Sequence, residues 1–63
     1  MVINNIPDYA KNYTYLVARD DDKGELWFYG AYNDGIKAQK VADEIHGQVY
    51  QTKFFIDRRN TDE

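Results

Sequence analysis

The residues best equipped for chemistry lie together, in Asp20-Asp21-Asp22-Lys23-Gly24-Glu25. Carboxylates in a row before a glycine suggest a calcium loop, where oxygen ligands enclose a hard cation. A helix–loop–helix calcium site needs Asp at its first and third positions, Asp or Asn at the fifth, Gly at the sixth and Glu at the twelfth. Counted from Asp20, the fifth position is Gly24 and the sixth is Glu25, so the spacing fails. The same composition makes a tight solvated turn. Asp side chains bond nearby backbone N–H groups, and Gly accepts positive φ.

The other candidates are thinner. His46 is the one histidine, and the chain has no cysteine, so neither a zinc set nor a thiolate nucleophile is present. At the end of a helix, His46 reads as a capping or surface residue favoured by the dipole. Gly24, Gly30, Gly35 and Gly47 are scattered and build no phosphate-cradling loop. No carboxylate sits within an apolar segment that would raise its pKa for acid–base work. Arg58-Arg59 is a short solvated basic pair in an acidic tail. The expectation is a protein that is not an enzyme, with no catalytic residue, cofactor, metal or small-molecule substrate.

These residues must be held by a small fold. The chain has 63 residues, enough for one domain. At that size only about 60% of the unfolded chain's surface is buried, and stability rests on aromatic burial or self-association. Six Tyr, three Phe and one Trp supply the aromatic material. The net charge of −3, from 11 acidic and 8 basic residues, lacks the basic footprint of a nucleic-acid binder. No run approaches the ~18 apolar residues of a membrane span. The opening MVINNIPDYAKN shows no basic region leading into an apolar stretch, so no signal peptide is readable. Together with the absence of cysteine, this suggests a reducing, cytoplasmic setting.

Residues 1–12 read as an irregular lead-in, with Val2, Ile3 and Ile6 available to anchor it. YTYLVAR (13–19) is β-branched and aromatic and predicts a strand. The Asp-rich turn follows, and ELWFYGA (25–31) predicts a second strand, completing a hairpin. Gly30 within it suggests a bulge or a close backbone approach. Asn33 is the expected N-cap of a helix over about 34–46, with Gly47 as its C-terminal cap. Ala38, Val41, Ala42 and Ile45 form a narrow apolar stripe. QVYQTKFFI (48–56) predicts a third strand, and 57–63 a disordered tail. The expected fold is α+β: a three-stranded antiparallel sheet, ββαβ with order 2-1-3, over residues 13–56, with one helix on one face.

GELWFYGAY places large side chains on both faces of the second strand. With Leu16, Ala18, Leu26, Phe28 and Val49 assigned beneath the helix, Tyr13, Tyr15, Val17, Trp27, Tyr29, Tyr50 and Thr52 are left on the open face. Tyr13, Tyr15, Trp27, Tyr29 and Tyr50 are then the expected interaction residues, since aromatic patches of this kind mark contact surfaces. Four covers are conceivable: a chain terminus folded back, a second copy in a homodimer, a different protein such as a host protein, or a small ligand or single nucleic-acid strand. The alternative function is nucleic-acid-related. The aromatics would stack single strands, or the acidic residues Asp20, Asp21, Asp22, Glu25 and Asp34 would mimic nucleic acid.

The block from YLVARDDDKGELWFYGAYND through KAQKVADEIHGQVY resembles very short proteins encoded by phages and prophages of Gram-positive bacteria. The shared pattern is a first strand, a polar turn, an ELWFYGAY strand, an Asn/Asp helix start, a KA…VA…I helix and a Gly before the last strand. It covers about residues 15–50. The resemblance implies a strand-strand-helix-strand domain in a bacterial cytoplasm and a host-directed accessory role. It transfers no functional residue.

Overall fold

The computed structural model describes residues 2–56. The tail expected over 57–63 lies outside the described residues. The fold is α+β, with one helix and a mixed four-stranded sheet. The strands are β1 (Ile3–Asn4), β2 (Tyr15–Asp20), β3 (Leu26–Tyr32) and β4 (Gln48–Gln51), and the helix α1 is Gly35–Ile45. Short 3-10 helices cover Asp8–Asn12 and Thr52–Phe54. The spatial order is β1-β3-β2-β4. The pairs β2–β3 and β2–β4 are antiparallel, which is the 2-1-3 arrangement expected of three strands. The correction is β1: it joins the outer side of β3 in parallel, Ile3 opposite Leu26 and Asn4 opposite Trp27. The third strand also stops at Gln51, where the chain turns into the second 3-10 helix.

The hairpin turn follows from its residues. Gly24 N–H donates to Asp21 C=O and Asp21 N–H to Glu25 C=O, closing a three-residue loop. Gly24 takes φ +82°, the left-handed position such loops require. Asp21 Oδ1 accepts from Lys23 N–H at 2.8 Å and Glu25 N–H at 2.9 Å, fixing the turn from inside.

The helix ends differ from expectation by one residue each. Asp34, not Asn33, is the N-cap: its Oδ1 accepts from Ile36 N–H at 2.9 Å and Lys37 N–H at 3.3 Å. Asn33 instead accepts from Thr14 N–H at 3.0 Å, tying the helix entry to the start of β2. At the other end His46, not Gly47, adopts the left-handed conformation, φ 58°. Gly47 N–H donates to Ala42 C=O and His46 N–H to Asp43 C=O, the paired closure of a Schellman motif.

The sheet is covered on both faces. Ala38 and Ala42 are fully buried against Val17, with Val41, Ile45, Val49, Tyr15 and Tyr32 around them. Small residues on the helix allow this close approach. On the opposite face Leu16, Ala18 and Leu26 are buried with Ile3 and Ala10, bordered by Ile6, Phe28, Tyr50, Phe55 and Ile56. The segment read as an irregular lead-in is therefore a strand plus a 3-10 helix, and it supplies the cover for the second face. Leu16, Val17 and Ala18 are consecutive and all fully buried. That pattern belongs to a strand with protein on both sides.

Candidate functional site

The face assignment read from the sequence is inverted in β2: Val17, not Leu16 and Ala18, lies beneath the helix. Strict alternation then fails in β3. Val17 stands opposite Gly30, but Ala18 stands opposite Phe28, so Tyr29 is an extra, bulged residue. Residues beyond the bulge change faces relative to those before it. Tyr32 thereby joins the helix-side cluster, and its ring lies across Gly30, where a Cβ would come within 2.7 Å of the Tyr32 hydroxyl. Close approach and bulge both occur at this glycine.

The five expected interaction residues consequently form no single surface. Tyr15 packs into the helix-side cluster, its ring against Gly35. Tyr50 packs on the opposite face, edge-on to Phe55 at 5.1 Å between ring centres. The Tyr50 hydroxyl donates to Gln48 Oε1. Its pKa is raised, first by burial and then by the charge of Asp20. Tyr13 is half-buried and meets Tyr9 edge-on at 6.1 Å; Tyr9 in turn meets Phe28 at 6.4 Å. Only Trp27 and Tyr29, on β3, remain substantially exposed, at 40% and 51%.

Trp27 is exposed but not free. Its Nε1–H donates to Asp21 Oδ2 at 2.9 Å. One carboxylate thus spans two jobs: Oδ1 holds the turn and Oδ2 holds the indole. The indole bond is the main reason that the Asp21 carboxyl sits below its ordinary value of 3.8, with the Glu25 N–H next. The sequence puts Asp21 in a solvated turn and Trp27 on a strand, but does not show the bond between them. The signal available was the short spacing across a hairpin whose loop brings the two together.

A consequence is testable by pH. A folded-state pKa below the unfolded one stabilises the fold above about 3.8, and that contribution disappears as pH falls through the folded value. The indole N–H resonance is therefore expected to shift in acid below that point, before global unfolding. Asp21→Asn retains an oxygen for the turn but presents an amide where the indole needs an acceptor. Asp21→Ala removes both functions. Thermal melting should rank wild type above Asp21→Asn and Asp21→Ala lowest, with the indole resonance displaced in both variants at neutral pH.

An open groove of about 630 Å³ borders the hairpin, with Asn4, Asp20, Glu25, Leu26, Gln48 and Tyr50 in its lining. Within its lining, Asn4 Nδ2 donates to Glu25 Oε1 and to Leu26 C=O, bracing β1 against the turn. Among the described residues, no three His, Cys, Asp or Glu side chains come together as a metal-binding group, and no helix is long and apolar enough to cross a membrane. Comparison of the chain with protein-family models, curated proteins and solved structures finds no match.

Proposed function

We propose that this chain is a small binding protein rather than an enzyme, a phage-type accessory module that docks on a host protein in the bacterial cytoplasm through Trp27 and Tyr29. One observation carries the reading: the Trp27 indole is 40% exposed, yet held by a hydrogen bond to a carboxylate that the hairpin turn itself fixes. Trp and Tyr dominate the energetics of protein interfaces. A side chain already ordered before contact loses less entropy on binding. Tyr29, two residues further along β3 and 51% exposed, is its bulged residue, a position where strands re-aim side chains. The aromatic sheet face is replaced in this reading by two exposed aromatic residues of β3.

The test is quantitative capture from a Gram-positive bacterial lysate with immobilised wild type, Trp27→Ala and Trp27→Phe. A partner retained by wild type should fall by about thirtyfold with Trp27→Ala, the scale of a 2 kcal/mol anchor. Trp27→Phe, which keeps a ring but cannot bond Asp21, should fall between the two. Melting curves of each variant establish that the fold persists. Equal capture by all three overturns the proposal.

A further inference from the structure

We propose that β4 is a self-association edge: two copies of this chain pair β4 with β4, antiparallel about a two-fold axis at Tyr50, and join their sheets into one of eight strands. This surface is separate from Trp27 and Tyr29.

The order β1-β3-β2-β4 leaves two edges, and they are built differently. The β1 edge is blunted. It is two residues long and is followed by Asn5, at φ 67°, and by Pro7, which has no N–H. Where β3 runs on past β1, it carries the Tyr29 bulge. Short strands, Pro and bulges are the devices that discourage edge pairing. The other edge, Gln48-Val49-Tyr50-Gln51, has no charge, no Pro and no bulge.

Its backbone geometry fits itself. Thr52 N–H donates to Thr14 C=O at 2.9 Å, in the same register that pairs Tyr15 with Gln51 and Val17 with Val49. Amides alternate along a strand, so those of Thr52, Tyr50 and Gln48 point to β2, and those of Val49 and Gln51 point outward. A two-fold axis at Tyr50 sets Val49 opposite Gln51 of the second copy, and the reverse. All four outward N–H groups then meet outward carbonyls. The two Tyr50 residues face each other as the central non-hydrogen-bonded pair, where side chains approach most closely. None of the four residues of β4 is charged, so no like charges meet within the paired segment. A second copy is favoured over a foreign strand because this pairing closes on itself: the interface consumes both β4 edges and leaves none to propagate.

The test exploits Gln51, which is exposed and has φ −84°, close to the value proline imposes. Gln51→Pro removes the outward N–H with little strain on the monomer. Sedimentation equilibrium across a concentration series, at low and high salt, should show a salt-resistant monomer–dimer equilibrium for wild type and for Gln51→Ala. Gln51→Pro should weaken it by about tenfold or more, as two of four backbone bonds are lost. Amide exchange at Val49 and Gln51 should slow with wild-type concentration. A wild type that remains monomeric to about 1 mM overturns the inference, as does a dimer that Gln51→Pro leaves intact. Loss of the dimer in Trp27→Ala but not in Gln51→Pro places association at β3 and also overturns it, whereas lysate capture tests the Trp27 reading separately.

Discussion

Deletion of residues 1–12 is expected to abolish cooperative unfolding of this chain. A ββαβ domain spanning 13–56 would survive the cut, because its helix already covers one face. In the structure the cut removes Ile3 and Ala10 from the core and uncovers Leu16, Ala18, Leu26 and Phe28. Ile3 is 5% exposed, and burying such a side chain contributes about 1.5–3 kcal/mol. The deletion also strips the outer edge of β3 of its β1 partner. Total stability for a chain of this length is on the order of 3–9 kcal/mol, so these losses take most of it. The truncated chain should bind a hydrophobic dye and melt without a sigmoidal transition in circular dichroism. A single-site version separates lost cover from lost chain: Ala10→Asp places a charge where Ala10 is fully buried, and should destabilise strongly. A truncated chain that melts like the full one would show that the second face needs no cover.

The hairpin, the helix and its Ala38–Ala42 stripe are legible in the sequence because local signals specify them. Asp and Gly define the turn, and the 3.6-residue period defines the stripe. The faces of the sheet are not legible in the same way. Alternation says which residues share a face, but not which face receives the helix, and in β2 both sets are apolar. The bulge at Tyr29 defeats alternation within β3, and Gly30 signals it without stating its direction. The cover by residues 2–12 depends on contacts far apart in sequence; its only local hints are Val2, Ile3, Ile6 and Ala10. The expected aromatic face dissolved for this reason. Alternation puts Tyr15 and Tyr50 on one side, and the fold uses them on opposite sides. The Asp21–Trp27 bond likewise arises from loop closure rather than from any motif.

Leu16→Ala is expected to be the most damaging of the conservative truncations. Leu16 is fully buried at the centre of the face closed by the N-terminal segment, and Val17 is fully buried on the helix side. Removing the Leu16 side chain takes away its transfer free energy and leaves a cavity, a cost of about 2–5 kcal/mol. In a domain this small each kcal/mol lowers the melting temperature by about 4–8 °C, so the variant should be mostly unfolded well below the wild-type midpoint. Val17→Ala removes less volume and should cost less. The two also differ in kind, because they empty different layers. Leu16→Ala should speed amide exchange in β1 and the Asp8–Asn12 helix, and Val17→Ala in α1. Urea denaturation gives the magnitudes and exchange gives the layer. A Leu16→Ala variant within about 1 kcal/mol of wild type would mean that nothing closes over Leu16. The N-terminal cover would then be wrong, and the sheet face opposite the helix would again be an open surface able to take a partner.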